Sequence, residues 1–210
     1  MNAQQRQKTL IASQYAEQVL NLYPTQLEQD YAEDQFSISL STENIHQKVQ
    51  QAVADLADEQ AWMKALRMLR AQLMFRWIWQ DANQLTDVVT LTRELSDFAD
   101  ACIVAAKDFA RIPLIAKHGE PMGYSGQVQD LIVIGMGKLG AKELNLSSDI
   151  DLIFAFDEQG ETNGRKCIDV QQFCILWGQK LIYLLDHITA DGFVFRVDMR
   201  LRPWGDGAAL

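Results

Sequence analysis

Between residues 130 and 156 the chain reads DLIVIGMGKLGAKELNLSSDIDLIFAF, and two patterns in it could carry chemistry. Gly135, Gly137 and Gly140 follow an apolar run in the spacing G-x-G-x-x-G, the fingerprint of a dinucleotide-binding βαβ unit. Asp149 and Asp151 alternate with apolar residues, so an extended strand would project both carboxylates from one face while Ile150, Leu152 and Phe154 turn inward. The same parity divides FVFRVDMRLRP further on. Phe195, Val197, Met199 and Leu201 share one face, and Arg196, Asp198, Arg200 and Arg202 share the other. An acid among arginines is also what an ordinary salt-bridged strand contains. If the two strands are neighbours, however, Asp198 completes a set of three carboxylates, which repel one another unless divalent cations neutralise them. Hard oxygen donors of this kind suit Mg²⁺ or Mn²⁺. Two such ions stabilise the entering and leaving oxygens of an in-line displacement at phosphorus. The glycine turn then takes a different role. Backbone N–H groups of Gly137, Lys138 and their neighbours would cradle a polyphosphate, with Lys138 or Arg200 neutralising charge.

The dinucleotide reading has one point in its favour: Asp157 lies 22 residues after Gly135, about where a ribose-binding acid belongs. Three features oppose it. The turn, helix and return must all fit within residues 136–149, which is tight for a parallel crossover of about a dozen residues or more. Asn145-Leu146-Ser147-Ser148 favours a turn where a crossover helix would still be packing. Few strand–helix alternations follow to build a doubly wound sheet. A dinucleotide-binding oxidoreductase is therefore a remote alternative.

The elements that must position these residues are mostly helical. Residues 1–23 read as a short amphipathic helix ending before Pro24, and residues 24–42 as an acidic loop or ragged helices. From about Glu43 the period is helical, with Trp62, Leu66, Leu69, Leu73 and Trp77 on one stripe and Lys64, Arg67 and Arg70 off it. A second helix follows Thr86, a candidate N-cap, with the stripe Val88, Leu91, Leu95, Phe98, Cys102 and Phe109. The tryptophans and methionines of these helices read as bundle core. The glycine-rich KHGEPMGYSGQ at 117–127 marks a boundary or exposed connection. Residues 131–134 and 150–156 read as strands, 138–146 as a short helix, 168–188 as a long amphipathic helix and 193–201 as a final strand. This predicts an α+β chain: a helical leader over 1–120, then a small mixed-sheet palm with flanking helices over 121–210.

Composition bounds the rest. The 210 residues are 48% apolar and carry a net charge of −9, which argues against binding a phosphate backbone and so against a nucleic-acid partner. No apolar run approaches the roughly 18 residues that span a bilayer, and the first residues are too polar for a signal peptide, so a cytoplasmic location without membrane contact is expected. Cys102, Cys167 and Cys174 read as reduced core thiols. His46, His118 and His187 cluster with nothing.

The pattern G-x-G-K-L-G-x-x-E-L-N-x-S-S-D-I-D-L-I, followed by R-V-D-x-R-L-R-P, resembles the glutamine synthetase (glutamate–ammonia ligase) adenylyltransferase/adenylyl-removing family, part of the DNA-polymerase-β-like nucleotidyltransferases. The match runs from Gly135 to Asp151 and again from Gly192 to Gly205. The helical leader and DGFVFRVDMRLRPWGDG resemble the family's amino-terminal unit. That resemblance implies phosphorolytic removal of AMP from a tyrosine of glutamine synthetase, releasing ADP, in a family whose other unit adenylylates with ATP. It implies metal ligands at Asp149, Asp151 and Asp198, and a phosphate site lined by Gly135, Gly137, Lys138, Gly140 and Ser148 with Arg200. Glutamine synthetase and a PII-type signal protein are the implied partners. Ala141 and Leu146 depart from the family pattern, with a small effect expected. After R-L-R-P-x the family continues Gly-x-Ser-Gly-Pro-Leu, whereas this chain reads Gly205-Asp206-Gly207-Ala208-Ala209-Leu210. The expectation is a C-terminally truncated palm with an incomplete substrate site. The alternative is then a catalytically silent remnant that only binds glutamine synthetase or a PII-type protein.

Overall fold

The computed structural model of the chain describes residues 1–199. It divides into two compact units, and the division falls inside one long helix: the first unit takes Met1–Phe98 and Lys142–Ser147, the second the remainder.

In the first unit, α1 (Ala3–Ala12), α2 (Gln14–Leu22), α3 (Pro24–Ala32) and α4 (Thr42–Val53) surround α5 (Glu59–Ala82). Residues 1–23, expected as one helix, thus form two, and α3 lies in the stretch expected as a loop or ragged helices. Ser13 ends α1 in extended backbone, and its hydroxyl accepts the Ala16 N–H to start α2. Pro24 opens α3 at a position where its missing N–H removes no bond. Leu66, Leu73 and Trp77 are buried as their spacing requires, but from Leu73 to Gln80 every residue of α5 is buried, the mark of a helix enclosed on all sides.

The polar residues inside this unit were not legible as such. Arg67, expected off the apolar stripe, is buried and donates to the Met63 carbonyl. Arg76 donates to Glu94 at 2.9 Å and to the carbonyls of Gln35 and Ile38, and Trp77 Nε1 donates to the same carboxylate at 2.8 Å. A helix hydrophobic all round can hold an arginine only if each donor finds an acceptor. The next helix, α6 (Val88–His118), is capped by Asp87 rather than Thr86: Asp87 accepts the Thr90 N–H at 2.8 Å. Val88, expected on the buried stripe, is exposed, while Leu91, Leu95 and Phe98 are buried.

The second unit holds the rest of α6 and two small sheets. The glycine-rich stretch after α6 forms β1 (Pro121–Gly123), which pairs antiparallel with β4 (Gly160–Thr162). The other sheet has the order β2 (Ile132–Met136), β3 (Ile150–Ala155), β5 (Val197–Asp198). A single helical turn, α7 (Gly137–Gly140), follows β2, and α8 (Val170–Asp186) follows β4. The expected helix over 138–146 is therefore only that turn. The stripe of α8 is buried at Val170, Phe173, Trp177, Leu181 and Leu184, whereas Ile188 lies beyond the helix and is exposed. Of the final strand expected over 193–201, two residues pair, and 200–201 lie outside the described residues. Helices with small mixed sheets make this an α+β chain. Cys102 and Cys174 are buried, but Cys167 is exposed, outside any helix, and its thiol donates to the Thr162 carbonyl. Among the described residues, no helix is long and apolar enough to cross a membrane.

Candidate functional site

Strand pairing decides between the two motifs. β2 and β3 run antiparallel, with Met136 opposite Asp151 and Ile132 opposite Ala155. A dinucleotide fingerprint needs a helix that carries the chain back to a parallel strand. Here residues 137–149 bring the chain back antiparallel, so these glycines do not form that fingerprint, on which the oxidoreductase alternative rested. Asp157 lies past the end of β3 and is exposed.

The glycines have local reasons of their own. A Cβ at Gly135 would lie 2.9 Å from the Leu139 side chain, and one at Gly140 would lie 2.6 Å from the Gly135 carbonyl oxygen. These two positions let α7 fold down onto the end of β2, with Leu139 buried as its anchor. Gly137 differs. Its φ is +53°, a left-handed conformation that glycine adopts freely, and a Cβ there would lie 2.8 Å from Asp151 Oδ2. Its absence leaves room directly beside that carboxylate.

β3 then pairs parallel with β5, matching Ile150 to Val197 and Asp151 to Asp198, and the Ile150 N–H donates to the Arg196 carbonyl at 2.9 Å. Side chains opposite one another in register share a face. Asp151 and Asp198 are therefore cross-strand neighbours, and Asp149 and Arg196 occupy the preceding pair of places on the same face. Ile150 and Leu152 are buried on the other face, and Gly178 of α8 lies where a Cβ would be 2.6 Å from the Phe154 ring. On the face of Asp151, Ile132, Ile134 and Met136 are partly exposed, so the acids stand on the open side of the sheet.

The site residues divide accordingly. Asp151, Asp198 and Gly137 come together. Asp149, on the same face, is held by Arg196, whose Nε donates to its Oδ1 at 2.5 Å, with both side chains about half exposed. Among the described residues no group of three His, Cys, Asp or Glu side chains gathers closely enough to hold a metal ion. Lys138 is exposed on α7, and Ser148 is half-buried immediately before Asp149. Arg200 lies outside the described residues. The donor set nevertheless fits a hard divalent cation. It consists of carboxylate oxygens on one open face, with a glycine cradle beside Asp151 and an arginine supplying the charge that balances Asp149. Arg196 is the residue that the strand parity located but did not pair.

Comparison with known proteins bears on all of this. The family model described as glutamate-ammonia ligase adenylyltransferase matches residues 3–210. The chain is 78% identical over 210 residues, its whole length, to the bifunctional glutamine synthetase adenylyltransferase/adenylyl-removing enzyme of Acinetobacter baylyi, of which it covers 23%. It is 48% identical over 163 residues, 78% of the chain and 17% of the relative, to the enzyme of the same description from Thioalkalivibrio sulfidiphilus. With that of Pseudomonas aeruginosa it shares 48% over 168 residues, 79% of the chain and 17% of the relative. The chain thus spans less than a quarter of the length of these relatives.

Proposed function

The chain belongs to the glutamate-ammonia ligase adenylyltransferase family, and from that premise we propose that it is a metal-dependent nucleotidyltransferase unit that removes AMP from the adenylylated tyrosine of glutamine synthetase. The observation that supports this most is the register of β5 on β3, which sets Asp198 beside Asp151 on the open face next to Gly137. In this reading residues 121–210 form the palm, residues 1–120 its helical leader, and the setting is the cytoplasm.

The reaction is a displacement at the α-phosphorus. An oxygen of inorganic phosphate attacks that phosphorus, the bond to the tyrosine oxygen breaks, and the phenolate takes up a proton. The products are ADP and free tyrosine. Bound Mg²⁺ or Mn²⁺ would supply charge neutralisation to the entering and leaving oxygens. Asp149, Asp151 and Asp198 would hold it, and Asp149 would first have to exchange its partner Arg196. Gly137 and Lys138 would offer backbone N–H groups to the phosphates, and Ser148 and Arg200 would add donors to them. Catalysis of this kind is positioning and charge neutralisation, which an open sheet face with fixed register provides. The same three acids would serve transfer from ATP in the opposite direction, and the relatives' description covers both activities.

The test is to incubate the chain with adenylylated glutamine synthetase, phosphate and Mg²⁺ and to measure ADP. ADP formation that disappears in Asp149→Asn and Asp151→Asn supports the reading, and no ADP from the unaltered chain sinks it. A second reading is favoured by the capture of Asp149 by Arg196: a silent chain that only docks glutamine synthetase or a PII-type protein. It predicts co-sedimentation with one of them without ADP.

A further inference from the structure

The acids' face carries a fourth charged side chain to which nucleotidyl transfer gives no role. The register that brings Asp198 to Asp151 also brings Arg196 to Asp149, and Arg196 Nε donates to Asp149 Oδ1 at 2.5 Å. We propose that Arg196 is a displaceable counter-ion. It holds Asp149 while the chain is free of metal, and it gives up that carboxylate to a divalent cation. This rests on the metal-dependent reading above.

Four observations carry it. Asp149, Asp151 and Asp198 lie on one face, where three negative charges need balancing whether or not a cation is bound. The pair is placed by strand register and is not enclosed: the side chains are 54% and 47% exposed, and such exposed pairs contribute little and are readily exchanged. The contact to Asp149 is made by Nε, at the side of the guanidinium. Finally, the guanidinium carbon lies 5.7 Å from the centre of the Phe193 ring, within cation–π reach, a contact that does not depend on Asp149. A structural ion pair would instead look like Arg76–Glu94, whose side chains are 5% and 1% exposed.

The consequence has a definite sign. A ligand must be released before it can bind metal, so removing its competitor tightens metal binding, whereas removing a structural support weakens it. Mn²⁺ affinity of the 210-residue chain, read from the EPR signal of the free ion, tests this. Arg196→Gln is expected to bind Mn²⁺ about threefold more tightly than the unaltered chain, the scale on which loss of an exposed ion pair shifts an equilibrium. Arg196→Met, which keeps an aliphatic stem against Phe193, should behave alike and covers the case that the glutamine variant folds poorly. Arg196→Lys retains the charge and should stay near the unaltered value. Arg165→Gln removes an exposed cation outside the pair and measures the general effect of one positive charge. Equal or weaker binding in Arg196→Gln and Arg196→Met overturns the proposal, as does equal tightening in Arg165→Gln. If neither the unaltered chain nor Arg196→Gln binds Mn²⁺, and Asp149→Asn matches both, the metal-dependent reading falls and the proposal falls with it. Binding by the unaltered chain without an Arg196 effect sinks the Arg196 role alone.

Discussion

Gly137 is the residue on which two requirements meet. Its positive φ would strain any side chain by about 1–2 kcal/mol, and the space a Cβ would fill lies 2.8 Å from Asp151 Oδ2. Gly137→Ala should therefore lower stability by about that amount in urea unfolding and also push the Asp151 carboxylate aside. The second effect is separable: Mn²⁺ affinity should fall by more than the loss of stability explains. A variant that loses stability and keeps its affinity would place Asp151 outside the metal site. The thiols give a prediction of another kind. Burial, aided by the negative charge of Asp130, raises the Cys174 pKa from 9.0 to about 11. The folded state thus holds that proton more tightly than the unfolded chain. The associated stability is fully present below pH 9 and is lost as pH rises towards about 11. At pH 8 alkylation should label the exposed Cys167 in the native chain and leave Cys174 unmodified until unfolding. Rapid native labelling of Cys174, by peptide mapping, would contradict this.

At the scale of elements, the first unit depends on a polar link inside an apolar bundle. Glu94 accepts from the Leu40 N–H, Arg76 and Trp77, so one carboxylate ties the segment before α4 to α5 and α6. Removing it strands a buried guanidinium, and Glu94→Ala is expected to destabilise by about 3–5 kcal/mol. A loss below about 1 kcal/mol in equilibrium unfolding would show that the network is dispensable. Nearby, Asp97 accepts from Thr42 and Lys142, while Ser96 accepts the Leu144 N–H at 3.2 Å. Lys142 has a φ of +61°, so its ion pair holds a backbone conformation that a lysine rarely adopts. This is why the stretch after the glycine turn, which looked like the start of a helix, forms no longer one. Its polar and apolar groups are satisfied by the helices of the first unit, and Leu144 is buried there.

For the molecule as a whole, charge and ligand linkage matter most. A net charge of −9 leaves little attraction for nucleic acid but does favour cations, and the acids of the open sheet face concentrate that preference. A ligand that binds only the folded chain raises its stability by about 2.7 kcal/mol at a hundredfold excess over its dissociation constant. Mn²⁺ with ADP should therefore raise the melting temperature by several degrees, and NAD without metal should not. No shift with Mn²⁺ and ADP would remove the main support for the metal-dependent reading.

The local chemistry was legible because period and residue type are written directly in the chain. Alternation put Asp149 and Asp151 on one face and buried Ile150 and Leu152, and helical spacing located the cores of α5 and α8. The family resemblance rested on that same string of residues. What the chain alone left open was every relation set by pairing over distance. Nothing in G-x-G-x-x-G tells a parallel crossover from an antiparallel return, because both need the same tight turn; the register of β2 on β3 chose the second. Spacing marks no polar residue as buried, and Arg76 and Glu94, 18 residues apart, are buried because they pair with one another. Asp198 lies nearly fifty residues from Asp149, and only the β3–β5 register shows that Asp198 meets Asp151 while Asp149 meets Arg196. Local propensity fixes which face a side chain takes, but strand partners are chosen by the packing of the whole sheet.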